Sequence, residues 1–87
     1  MKKFAYTITQ KEGLHSRPAG LLAKEAAKYD CRVTVKNCET GESANAKELY
    51  SLAKLSIKYD TGVEIVAQGR DEVAAIENLE QFFEYNL

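Results

Sequence analysis

The apolar residues of this chain switch repeatedly between a period of two and a helical period, and that switching limits the architectures open to it. Phe4, Tyr6 and Ile8 alternate with Ala5, Thr7 and Thr9, which reads as one face of a strand. Gln10 to Gly13 reads as a loop. From Ser16 to Tyr29 the spacing changes: Ala19, Leu22, Ala23 and Ala26 form a helical stripe, with Lys24, Glu25 and Lys28 off it. Pro18, the only proline, falls in the first turn, where its missing N–H is not needed. Cys31, Val33 and Val35 alternate with Arg32, Thr34 and Lys36 in a second strand; Asn37 to Gly41 is a turn, and Glu42 to Asn45 a short returning strand. Lys47 to Ile57 predicts a short helix whose apolar face draws on Leu49, Leu52, Ala53, Leu55 and Ile57. Tyr59 to Gly62 breaks it, and Val63, Ile65 and Ala67 mark a last strand. Gly69-Arg70-Asp71 then leads into an amphipathic helix with Val73, Ile76, Leu79 and Phe83 as its stripe, and with Asp71 and Glu72 in a first turn whose dipole suits them.

The order is strand, helix, strand, strand, helix, strand, helix. One-sided strands with helices on a single face make an open-faced, two-layer α+β sandwich, and 87 residues fill one domain, 1–87. A net charge of -1 makes a poor non-specific binder of nucleic acid or anionic membrane. No apolar run approaches the ~20 residues that span a bilayer. Polar Thr7, Thr9 and Gln10 interrupt the start, so the continuous apolar segment of a signal peptide is missing and the cytoplasm is the default compartment. Cys31 and Cys38 are expected as free thiols. With one histidine beside them, they match no metal-binding spacing.

Chemistry concentrates in Gly13-Leu14-His15-Ser16-Arg17-Pro18-Ala19, a loop-to-helix junction holding the only histidine. A helix N-terminus presents unpaired N–H groups and a partial positive charge, which suits an anion. His15 stands at its mouth and Arg17 follows two residues on. A neutral imidazole keeps a lone pair and is a competent nucleophile toward a phosphoryl group. The helix end and the Arg17 guanidinium would then stabilise the resulting dianion. Polar capping by His15 and Ser16 is the plainer alternative.

The string Gly-Leu-His-x-Arg-Pro-Ala resembles the active-site signature of the HPr family, the histidine-phosphorylatable carriers of the bacterial phosphoenolpyruvate-dependent sugar phosphotransferase system. The resemblance extends to Lys24-Glu25-Ala26, Val33-Thr34-Val35, Ser43-Ala44-Asn45-Ala46-Lys47 and Gly69-Arg70-Asp71-Glu72. It implies a four-stranded antiparallel sheet with three helices over one face. It further implies that His15 accepts phosphate on Nδ1 from phosphorylated enzyme I and passes it to enzyme IIA components of sugar permeases. Arg17 would pair with the phosphate, and amides near Ser16 and Arg17 would complete the cradle. Such a protein is a stoichiometric carrier without a cofactor and not an enzyme, and is expected as a monomer. A regulatory module of the same fold, docking on transcription factors or metabolic enzymes, is the alternative. Retention of His15 with Arg17 and Pro18 favours the carrier.

A helix as short as the second cannot bury all of Leu49, Tyr50 and Ala53, and an exposed apolar patch beside a charged site suggests a protein interface. The resemblance implies that the first two helices form the docking face, with Gly20, Leu21, Leu49 and Tyr50 in it. Lys24 and Lys28 would supply charge complementary to acidic partners. Glu48 stands where many relatives carry a regulatory serine, so that no hydroxyl is available there. Its charge would either mimic part of a phosphoserine or simply suit a helix first turn. Ser56 and Asp60 take positions often held by glycine in the family, and Gly62 is expected to take over part of that role.

Overall fold

The computed structural model describes residues 1–87 and contains β1 (Lys2–Thr7), α1 (Ser16–Ala26), β2 (Cys31–Asn37), β3 (Ser43–Asn45), α2 (Leu49–Ala53), β4 (Gly62–Gly69) and α3 (Glu72–Asn86). The strands form one antiparallel sheet in the order β1-β4-β2-β3. Register follows the two-residue period: Phe4 pairs with Ile65 and Val35 with Ile65 on its other side, so their side chains share one face. Val33, Val35, Val63, Ile65 and Ala67 are buried there, while Arg32 and Lys36 point to solvent. Ala19, Leu22 and Ala26 of α1, Leu52 of α2, and Ala75, Leu79 and Phe83 of α3 cover that face and complete one core.

The α3 stripe differs from the sequence expectation. Val73 is exposed and Ile76 half-buried, and the buried line is Ala75, Leu79 and Phe83. The Phe83 ring sets this phase. It meets Phe4 and Tyr6 edge-on, each at 5.6 Å between centroids, a favourable arrangement for aromatic pairs. Asp71 is the N-cap residue and lies before the first turn; its carboxylate accepts from the Asp30 amide at 2.8 Å rather than capping its own helix. The bond donated by the Asp30 amide favours the ionised carboxylate and holds Asp71 below the usual carboxylate range.

The second helix is shorter than the pattern predicts, five residues instead of Lys47 to Ile57. At its start the Lys47 amide donates to Asn45 Oδ1 at 2.9 Å, an Asx turn that competes with helix. At its end the Leu55 carbonyl accepts from buried Asn37 Nδ2 at 2.8 Å, and the Ile57 carbonyl accepts from the Leu14 amide at 3.0 Å. Leu55 and Ile57 are buried as expected, but Ser56 between them takes left-handed backbone, φ 52°, which a continuing right-handed helix cannot contain. The first helix also ends early, with Lys28 and Tyr29 donating to Glu25 and Ala26 in a tightened last turn.

Ser56 and Asp60 both adopt left-handed backbone, at φ 52° and 68°. Gly62 does not: it is an ordinary strand residue beginning β4, so it takes over none of that role. Both cysteines are free thiols, Cys31 buried at the start of β2 and Cys38 exposed just past its end. A whole strand at about 3.3 Å per residue separates them, far beyond disulfide reach.

Candidate functional site

The site is built by the segment between β1 and α1. Gly13 takes φ +67° and donates to the Gln10 carbonyl at 2.9 Å. The next amide, Leu14, bonds to Ile57 at 3.0 Å, and Leu14 itself is buried. These ties place His15 at the N-cap of α1 with extended backbone, φ −83° and ψ −177°. Its carbonyl accepts the first helical bond, from Ala19 at 3.0 Å. Its side chain makes no cap bond, so the imidazole is half-buried and free of internal partners.

The amides of Ser16 and Arg17 have no acceptor in the protein, as expected for the first helical turn, and Pro18 has no N–H to offer. Ser16 and Arg17 are exposed, and the Arg17 guanidinium forms no ion pair. His15 and Arg17 thus meet two unsatisfied amides at one helix end. An open depression of ≈ 350 Å³ lies over them, lined also by Gln10, Glu12, Pro18, Leu21 and Asn86. The arrangement can hold a small dianion on the imidazole, between a cation and outward-facing N–H groups.

Gln10, Glu12 and Asn86 escaped the sequence reading. Glu12 adjoins Gly13, and that neighbourhood could have drawn attention to it. Asn86 carried no such signal. It arrives from the far end of the chain because the Leu87 carbonyl accepts from the amides of Thr9 and Gln10, at 2.6 and 2.9 Å.

The proposed docking residues fall on two adjacent helices. Arg17, Leu21 and Lys24 recur at i, i+4 and i+7 and make one exposed stripe of α1, with Lys28 in the turn just past the helix end and Gly20 beside the stripe opening onto free space. Leu49 and Tyr50 lie on α2, which packs against α1; Leu49 is 38% and Tyr50 83% exposed, and Ala53 is exposed as well. Lys24 makes no ion pair, but Lys28 donates to Glu25 at 3.0 Å and is held above the ordinary lysine range by that bond. Part of the Lys28 charge is therefore engaged by Glu25 of the preceding turn.

Glu48 is the N-cap of α2 and not a first-turn residue. Its side chain caps nothing; it accepts from Asn45 Nδ2 at 3.3 Å and stays exposed. The lead-in to α2 is anchored instead by Lys47, whose ammonium donates to the Tyr29 carbonyl at 2.8 Å.

A family model described as the PTS HPr component phosphorylation site matches residues 2–85. The phosphocarrier protein HPr of Buchnera aphidicola subsp. Baizongia pistaciae is 43% identical over 75 residues, which is 86% of this chain and 86% of that protein. The phosphocarrier protein HPr of Mycoplasma capricolum is 40% identical over 81 residues, 93% of this chain and 89% of that protein. A solved structure of the histidine-containing phosphocarrier protein from Mycoplasma has a TM-score of 0.88 at 38% identity, covering 93% of this chain and 90% of that chain.

Proposed function

This chain belongs to the HPr family of phosphotransferase-system phosphocarriers, and from that membership we propose that it takes a phosphoryl group onto His15 from phosphorylated enzyme I and hands it to enzyme IIA components of sugar permeases. The observation that carries the reading is the half-exposed His15 ring, free of internal bonds, beside the unpaired amides of Ser16 and Arg17. On loading, the Nδ1 lone pair forms a new N–P bond while the donor's bond to phosphorus breaks and its electron pair stays with the donor. On discharge the same step runs outward. Arg17 and the helix amides stabilise the dianion in between, so the protein contributes positioning and charge.

The chain ends each half-step changed, which makes it a carrier and not a catalyst. It works in the cytoplasm as a single copy, offering Gly20, Leu21, Lys24, Leu49 and Tyr50 to its partners, with Lys28 a lesser contributor. No helix is long and apolar enough to cross a membrane. Glu48 supplies a fixed charge at the position of the regulatory serine. An unchanged rate of loading in Glu48→Ser would remove the idea that it mimics a phosphoserine.

The test incubates the chain with phosphoenolpyruvate, Mg²⁺ and enzyme I. Acid-labile phosphate should appear on the wild type and be absent from His15→Ala. An unlabelled wild type, with an enzyme I that charges another carrier, overturns the reading.

A further inference from the structure

We infer that Glu12 sets how loosely the phosphoryl group is held: its carboxylate faces the same depression as His15 and opposes the phosphorylated state. The inference rests on the carrier reading and adds a residue acting against Arg17.

Three observations support it. Glu12 lines the depression together with His15 and Arg17. Its charge is not spent elsewhere, because it is exposed and forms no ion pair or hydrogen bond within the protein. Its place is also fixed from both sides: Gln10 donates to Leu87 at 2.9 Å, Gly13 to Gln10 at 2.9 Å and Leu14 to Ile57 at 3.0 Å. The backbone cannot swing Glu12 away from the ring without breaking those bonds.

In the unphosphorylated protein the Glu12 carboxylate and the Arg17 guanidinium balance across the site. After phosphorylation the one guanidinium faces both a dianion and a carboxylate. The helix amides and Arg17 favour retention, and Glu12 offsets part of that attraction. A carrier that must surrender its cargo gains from such an offset, since a dianion held too tightly is not passed on. A carboxylate facing a dianion through water at low salt changes an equilibrium constant by roughly three- to tenfold, and added salt screens the effect.

The test compares wild type, Glu12→Gln and Glu77→Gln. Glu77 is an exposed residue in the first half of α3, outside the depression, so its variant removes the same unit of charge elsewhere. Each protein is equilibrated with phosphoenolpyruvate, excess pyruvate, Mg²⁺ and a trace of enzyme I, and the phosphohistidine fraction is read by ³¹P NMR. Because enzyme I acts only as catalyst, contacts with it do not alter the end point. The expected result is an equilibrium constant for phosphorylation about three- to tenfold larger in Glu12→Gln at low salt, shrinking toward the wild-type value at high salt, with Glu77→Gln unchanged. Equality of Glu12→Gln with wild type at low salt, or a difference that salt does not reduce, overturns the inference and leaves the carrier reading standing. A wild type that takes up no phosphate overturns both.

Discussion

Gly13 lies so close to Ile57 that a Cβ added to it would stand 2.5 Å from the Ile57 carbonyl oxygen and 2.8 Å from the Lys58 Cα. The same residue has φ +67°, which side chains resist. The loop after α2 therefore serves as the wall against which the segment leading to His15 is pressed. Gly13→Ala should cost about 2–3 kcal/mol from strain and backbone displacement. It should also lower phosphorylation of His15, because the Leu14–Ile57 bond holds the N-cap in place. Urea unfolding and enzyme I-dependent labelling measure the two effects.

Ser56 and Asp60 sit in left-handed backbone at φ 52° and 68° without being glycine. Left-handed geometry costs a residue with a Cβ about 1–2 kcal/mol, less for Asp, and a glycine substituted there also gains entropy when unfolded. Ser56→Gly should therefore stabilise the fold by roughly 0.5–1 kcal/mol, and Asp60→Gly by less. A higher urea midpoint with an unchanged slope is the expected signature.

Tyr50 is 83% exposed yet sits on the helix beside the site. Its removal touches no core contact, so Tyr50→Ala should leave stability within about 0.5 kcal/mol of wild type. An aromatic anchor at an interface commonly contributes more than 1 kcal/mol, so KM for transfer from enzyme I should rise at least about fivefold. An unchanged KM would remove α2 from the docking face.

Cys31 is buried, and its thiol is pushed up to about 11, first by burial and then by the nearby Asp71 carboxylate. At pH 8 a thiol-specific reagent should label Cys38 within the native protein and reach Cys31 only on unfolding. The linkage has a definite sign. The folded state keeps the Cys31 proton after the unfolded chain has lost it, so the stability this proton contributes is full below about pH 9 and is lost as pH rises toward 11. Tyr29, raised chiefly by burial, acts in the same direction at higher pH. Denaturation curves of wild type and Cys31→Ala across that range should converge as the pH rises.

Much of this molecule could be read before its coordinates. Alternation at Val33 and Val35 and at Val63, Ile65 and Ala67 placed the strands and their inward faces, because a pleated strand has only two sides. His15 and Arg17 were legible because they belong to one continuous string at a helix start, where local chain geometry alone gathers the unpaired amides. The exposure of Leu49, Tyr50 and Ala53 was legible too, since a short helix has little surface to hide.

What local pattern could not supply was any outcome in which distant groups compete for the same atoms. The second helix stops at Ala53, and the Leu55 and Ile57 carbonyls beyond it are met by Asn37 and Leu14, which arrive from remote segments. The last helix turns Ala75 inward and Val73 outward because Phe83 seeks the rings of Phe4 and Tyr6. Asn86 joins the site from the opposite end of the chain through the bonds to Leu87. Periodicity and turn chemistry act over a few residues and are written in order along the chain. Hydrogen bonds and ring packing between remote segments depend on which groups arrive together, and that only the folded arrangement decides.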